Sequence, residues 1–237
     1  MPQLHKACRQ EAPRGQKPSD PCLSIGIKDV LNIDALPVIA VPGSGAVIAI
    51  EGIDGAGKTT QAKRIVRRLR SLGYRAAYTS EPTNTRIGRL IKAELTGRIT
   101  NPHKQALLFA ADRIDHVYRV IRPLMEKGFI VVCDRYLYSS YAYQGVLTRD
   151  IGWVREINKM APQPSLAILI DVPVDVALQR KRRLRGFEDA QLLGSVRAAY
   201  LRLLEEGLMV MVDGNRDATE VERDLLSIIS SRLGIRV

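Results

Sequence analysis

Residues 51–60 read EGIDGAGKTT. Gly52, Gly57, Lys58 and Thr59 satisfy the spacing G-x-x-x-x-G-K-[ST] at every position. Glycines at that spacing let successive backbone N–H groups turn inward around an anion. A helix beginning at the lysine adds its positive end, the lysine reaches the outer phosphates, and the threonine hydroxyl suits Mg²⁺. The motif carries weight only between a strand and a helix. Here the apolar run AVIAIEG (46–52) precedes it. A helical pattern succeeds it over 58–72, with Ile65, Val66, Leu69 and Leu72 on one stripe. Gly52, Ile53, Asp54, Gly55, Ala56, Gly57, Lys58, Thr59 and Thr60 are therefore the candidate contacts for ATP or a similar triphosphate. The motif is silent about the group that receives the phosphate.

Working outward, the chain alternates two kinds of segment. YRAAYTS (74–80), GFIVVCDRY (128–136), SLAILIDVP (165–173) and LMVMVDG (208–214) are short apolar runs that end in polar residues, as buried parallel strands do. Between them lie helical patterns at 86–96, 102–126, about 137–147, 150–160, about 174–184, 189–206 and 217–233. Five strands alternating with helices predict an α/β fold, a parallel sheet covered on both faces. Ligands then bind beyond the carboxyl ends of the strands, so the residues just after each apolar run matter most.

Residues 1–43 break this order. Pro2, Pro13, Pro18, Pro21, Pro37 and Pro42 interrupt any period. They read as an N-terminal extension, poorly ordered or loosely docked, before a domain over 44–237. An upstream start codon accounts for them equally well. The net charge of +11 is not in this tail, since residues 1–45 carry five Lys/Arg against four Asp/Glu. A basic body fits free nucleotides, and without a basic tail nucleic acid is not the expected partner. Cys8, Cys22 and Cys133 form no C-x-x-C pair, which speaks against a thiolate metal site or a disulfide framework. No apolar run reaches the roughly 18 residues of a membrane span. A reducing cytoplasm is the expected setting.

Three stretches bear on the acceptor. In CDRYLYSSYAYQG (133–145), Asp134 ends the third strand, where a second Mg²⁺ contact belongs, and Arg135 offers a planar fork for a phosphate. The alternative is an ion pair closing a strand. In LLFAADRIDH (107–116), Phe109 and Arg113 are four apart and share a helix face, a platform for a flat base. The alternative makes Phe109 core and Arg113 a solvated charge; His116 reads as structural. In LQRKRRLRGFE (178–188), Arg180, Lys181, Arg182, Arg183 and Arg185 form either a solvated face or a cationic lid over a phosphate site.

Together these pieces resemble thymidylate kinase. EGIDGAGKTT, EPT with IG after it, FAADR, DRYLYSSYAYQG, IDVP and VRAAYL run in the family's order over about 46–203. The resemblance implies a three-layer P-loop NTPase fold with a short lid at about 180–190. It implies phosphorylation of dTMP by ATP with Mg²⁺ in nucleotide synthesis, and a homodimer. By the same resemblance, Phe109 stacks on thymine and Arg113 meets its edge. Ser140, Tyr143 and Gln144 line the base and sugar, with Tyr143 crowding a 2′-hydroxyl. Arg135 grips the monophosphate, Asp54 approaches the 3′-hydroxyl or a nearby phosphate contact, and Tyr200 faces the phosphate. Glu81 and Pro82 border the same site, Thr59 and Asp134 serve Mg²⁺, and the catalytic cations are Lys58, Arg135 and the lid's Arg180, Arg182, Arg183 and Arg185. The chain departs from the family in three places. SEPTNT stands where REPGGT is common, so Arg86 becomes the substitute phosphate contact. RGFE stands for DRFE in the lid. Gly55 stands where some members carry an arginine, which favours a lid-supplied one. A related nucleoside monophosphate or deoxynucleoside kinase remains the alternative, with Asp134 or Glu51 as base for a hydroxyl acceptor. A nucleic-acid-binding P-loop ATPase is the more distant one.

Overall fold

The computed structural model describes residues 45–96, 101–180 and 190–237. The N-terminal extension and the lid positions Arg182, Arg183 and Arg185 lie outside the described residues.

The five apolar runs are five strands: β1 (Ala46–Glu51), β2 (Ala76–Ser80), β3 (Ile130–Asp134), β4 (Leu166–Asp171) and β5 (Val210–Asp213). All pair in parallel, in the order β2-β3-β1-β4-β5. β1 and β3 are buried along their whole length, which is why they read as unbroken apolar runs rather than alternating ones. The three-layer α/β expectation holds.

The helices are α1 (Lys58–Ser71), α2 (Arg86–Glu94), α3 (Pro102–His116), α4 (Arg122–Glu126), α5 (Leu137–Thr148), α6 (Ile151–Ile157), α7 (Val174–Arg180), α8 (Ala190–Glu205) and α9 (Ala218–Leu233). α1 and α9 pack on one another, and α3, α5 and α8 form a second packed group. Ile65, Val66 and Leu69 of α1 are buried, while Leu72 caps the helix half-exposed before Gly73 turns left-handed at φ 85°. Thr85 caps α2 by accepting from the Gly88 N–H, and Asn101 caps α3 from the Lys104 N–H with Pro102 in the first turn. The expected helix over 102–126 is one run with a π-helical turn, Val117–Ile121, between α3 and α4. That turn inserts a residue into the ladder and re-aims α4. α6 stops at Ile157, three residues short of expectation, because Asn158 turns back. Its side-chain amide donates to the Val154 carbonyl while its Oδ1 accepts from Arg113.

Register places the functional ends side by side. Ile50 of β1 pairs with Asp134 of β3, which pairs with Ser80 of β2. The next residues along each strand, Glu51, Arg135 and Glu81, therefore emerge at one rim of the sheet.

Ile48 sits at 0% exposure in the central strand and Leu90 at 47% on α2. Ile48→Ala should cost about 2–5 kcal/mol in urea unfolding, and Leu90→Ala less than about 0.5. Equal effects at both sites would contradict the layering.

Candidate active site

The phosphate loop leaves β1 at Glu51 and enters α1 at Lys58. Gly52, Gly55 and Gly57 all have positive φ, at 142°, 86° and 92°. At Gly55 a side chain is excluded twice over: the backbone is left-handed, and a Cβ would lie 2.2 Å from the Ala177 carbonyl of α7. An arginine at this position would meet both obstacles. Lys58 is buried and curls back, its Nζ donating to the Ile53 carbonyl at 2.7 Å and lying 3.8 Å from Asp54. The Thr59 hydroxyl donates to the Asp134 carboxylate across 75 residues of sequence. Tyr78 also reaches Asp134, at 3.3 Å. A hydroxyl and a carboxylate oxygen held together beside a phosphate loop are a fitting donor pair for Mg²⁺. Thr60 is exposed in the same first turn.

Arg135 is the first residue past β3 and takes a left-handed backbone, φ 69°. Its N–H donates to the Ile50 carbonyl, which pins the turn. The conformation throws the guanidinium across the loop. There it pairs with Asp54, donates to Gly52 O, Ser139 Oγ and Tyr143 Oη at 3.3 Å each, and lies 4.8 Å from the Tyr143 ring centre. Burial works against its charge, yet Tyr143, Asp54, Tyr200 and Asp134 around it hold its pKa well above the ordinary value. The Tyr143 hydroxyl in turn accepts from the Asp54 backbone N–H at 3.0 Å.

A cleft of about 520 Å³, part of it open to solvent, adjoins the loop. Asp54, Arg135, Ser139 and Tyr143 line it next to the loop. Glu81, Pro82, Leu95, Gln105, Phe109, Arg113 and Gln144 complete the lining. Phe109 is half-buried, with its ring at the cleft rather than in the core. Ser140 lies beneath, fully buried. Three expected contacts do not line the cleft: Ser140 itself, Arg86, which is exposed in the first turn of α2, and Tyr200, which is buried behind Ser139. Arg180, at the end of α7, donates to the Gly214 carbonyl at 3.0 Å.

Arg113 is neither solvated nor free. At 1% exposure its Nε and Nη2 both donate to Glu81, at 2.9 and 2.7 Å. Nη2 also reaches Tyr136 O at 3.0 Å, and Nη1 reaches Ser140 at 3.0 Å and Asn158 at 2.5 Å. All five N–H donors thus have protein acceptors. Burial pushes the Glu81 carboxyl up, but Arg113 and His116 outweigh it and hold its pKa below the usual value. Glu81, His116 and Cys133 bring ligand atoms within 4.8 Å of one another. Both Glu81 oxygens are already taken, by Arg113 and by His116 at 3.0 Å, so this cluster is a polar core rather than a metal centre.

Sequence reasoning missed several residues. Ser139, not only Ser140, joins Arg135 to the buried Glu51 and Tyr200. Burial raises the Glu51 pKa against the pull of Ser139 and Arg135. Its oxygens already accept from Tyr136 N–H, Ser139 and Tyr200, and the residue has no exposure from which to reach a substrate hydroxyl. Asp112 ties down the turn after Glu81, accepting from the Thr83 N–H, the Thr83 hydroxyl and the Thr85 hydroxyl. Gln105 also lines the cleft; its signal was its place four residues before Phe109.

The family profile for thymidylate kinase matches residues 50–225. A probable thymidylate kinase of Pyrococcus abyssi is 40% identical over 200 residues, covering 80% of this chain and 98% of its own length. One from Pyrobaculum calidifontis is 43% identical over 187 residues, 77% of this chain and 94% of the relative. Another, from Staphylothermus marinus, is 39% identical, with 80% and 97% covered.

Arg113→Met should destabilise the fold by about 3–5 kcal/mol at pH 7, because it strands a buried carboxylate. In the wild type, the depressed Glu81 pKa gives stability that is present above the ordinary carboxylate range and is lost as pH falls. In the variant, the dry carboxyl instead takes up a proton more readily. The gap between the two should narrow between pH 7 and pH 5 in urea unfolding. A constant gap would show that the ion pair is not the cause.

Proposed function

The chain belongs to the thymidylate kinase family and transfers a phosphoryl group to dTMP, giving dTDP; we propose that ATP is the donor, that Mg²⁺ is the metal, and that the cleft beside the phosphate loop is the dTMP site. The observation that carries this reading is a shared wall. Asp54 belongs to the phosphate loop and also lines the cleft that holds Phe109 and Arg135, so donor and acceptor meet across one residue.

The acceptor is itself a phosphate. Its second pKa is about 6, so it is largely ionised at neutral pH and needs no general base. Asp134, whose carboxylate accepts from Thr59 and Tyr78, serves as an organiser rather than a proton acceptor. Thr59 and Asp134 would hold Mg²⁺, which when bound neutralises charge on the donor phosphates.

The chain's own residues handle the remaining repulsion. Lys58 sits under the loop and can straighten from the Ile53 carbonyl onto the donor. Arg135 stands on the loop side of the cleft, its fork held by Asp54, Ser139 and Tyr143 until a monophosphate takes it. Aligning two polyanions between fixed cations is the main source of rate in such chemistry. Phe109 offers a face to the base. Tyr143, braced by the Asp54 N–H, stands beside the sugar, and Gln144 and Pro82 complete that end. Tyr200 and Glu51 act through Ser139, and Glu81 acts through Arg113. The lid arginines supply further cations in this reading.

Placement in the cytoplasm and a homodimer belong to the same proposal. Exposed Leu107 on α3 and Tyr118 in the π-helical turn supply apolar surface for the second. Among the described residues, no helix is long and apolar enough to cross a membrane.

Coupled assays with dTMP, dUMP, UMP, dCMP and thymidine, each with ATP, test the acceptor. Preference for thymidine over dTMP would move the chain to a different kinase class. Lys58→Ala should nearly abolish turnover. Phe109→Ala should remove a stack worth about 1–3 kcal/mol, raising KM for dTMP roughly ten- to a hundredfold with ATP unaffected. An effect on ATP alone would relocate the base site.

A further inference from the structure

Asp134 ends β3, and among the described residues two hydroxyls hold its side chain. Those of Thr59 and Tyr78 both donate to Oδ2, the second at 3.3 Å. The two donors are not equivalent. Thr59 stands in the first turn of α1 and is itself suited to ligate a metal, so its hold on Asp134 is not independent of one. Tyr78 belongs to β2, which lies across β3 from the strand that carries the phosphate loop. Mg²⁺ takes carboxylates, phosphates and water rather than a neutral phenol. The Tyr78 hydroxyl is therefore free to hold the carboxylate with or without a metal in place.

The strand geometry makes this contact specific. Tyr78 and Ser80 share one face of β2, while Thr79 points to the other and meets His116. Register pairs Tyr78 with Val132 and Ser80 with Asp134. To touch Asp134, Tyr78 reaches two residues along the neighbouring strand, about 6–7 Å. A serine or threonine at 78 would be too short for that span, and a phenylalanine would cover it with nothing to donate. The ring is also fixed from α1, where Lys63 Nζ lies over it at 5.4 Å from its centre. Lys63 follows Thr59 by four residues on the same face of the helix. One turn of α1 thus reaches Asp134 twice, directly through Thr59 and indirectly through Lys63 and Tyr78. A carboxylate that ligates a metal is ordinarily held by such a partner, and removing the partner costs roughly 10–100-fold in metal affinity.

We propose that Tyr78 is a positioning residue of the metal site, its hydroxyl fixing the Asp134 carboxylate for Mg²⁺ independently of Thr59. This rests on the reading of Thr59 and Asp134 as the Mg²⁺ donors, and adds the residue that orients them from β2.

Tyr78→Phe, in the full chain, removes the hydroxyl and keeps the ring. The probe is Mn²⁺, titrated into the protein with a non-hydrolysable ATP analogue and followed by the paramagnetic signal of the free ion. Its affinity should fall roughly tenfold against the wild type. In turnover, the Mg²⁺ concentration that gives half the maximal rate should rise by a similar factor, while KM for dTMP stays in place. Excess Mg²⁺ should restore the rate. An unchanged Mn²⁺ affinity overturns the proposal. So does a loss of turnover that excess Mg²⁺ fails to restore, which would make the hydroxyl a prop of the fold. Asp134→Ala closes the cycle: in that background Tyr78→Phe should cost no further Mn²⁺ affinity, because its effect runs through the carboxylate. A full further loss overturns the proposal by showing that the hydroxyl acts on the nucleotide or the ion directly. Should Asp134→Ala alone bind Mn²⁺ as tightly as the wild type, the metal reading itself fails and takes the role of Tyr78 with it, a result distinct from the others.

Discussion

A buried guanidinium organises one side of this molecule. Arg113 reaches the residue after β2, the turn after β3, the first turns of α5 and the end of α6, through Glu81, Tyr136, Ser140 and Asn158 respectively. No apolar side chain could do this, because each partner is a polar group that burial would otherwise leave unmet. The ion pair with Glu81 is a poor source of net stability but a strict one of geometry. It fixes how far apart α3 and the sheet rim stand, and hence the width of the cleft between them. Asp112, one position earlier on the same helix, anchors the segment after Glu81 from the other side. Together the two residues make α3 a wall of defined position.

The sheet supplies the second constraint. In a parallel sheet, strands that start in register end together. Here the ends of β1, β3 and β2 place the phosphate loop, Arg135 and Glu81 at one rim. The charges that face each other across the cleft come from segments far apart in sequence but adjacent in the sheet. Nothing beyond strand order and register is needed to gather them.

Much of this was legible in the residues. Buried parallel strands are unbroken apolar runs, so all five were visible, with ends one or two residues off. The phosphate loop was visible because the glycines and lysine must stand at fixed spacing. Phe109 and Arg113 were visible as a pair by helical spacing, although Arg113 looked as compatible with solvent as with a dry interior. What decides that is Glu81, thirty-two residues earlier, and no local pattern reports it. The same holds for Ser139 and Glu51, joined across 88 residues. Gln105 had the right spacing from Phe109, but its place in the cleft wall exists only in three dimensions. The closeness of Gly55 to α7 was likewise invisible: sequence shows a missing arginine, and the fold shows what one would meet.

Arg135 has a further consequence. Its left-handed backbone is one that a β-carbon resists, so a glycine there would relieve the chain while removing the cation. Foldability and chemistry pull in opposite directions at this one codon. Laboratory selection for heat resistance alone would therefore be expected to drift toward a sturdier but silent protein at this position, and only a screen that also demands turnover would keep the arginine.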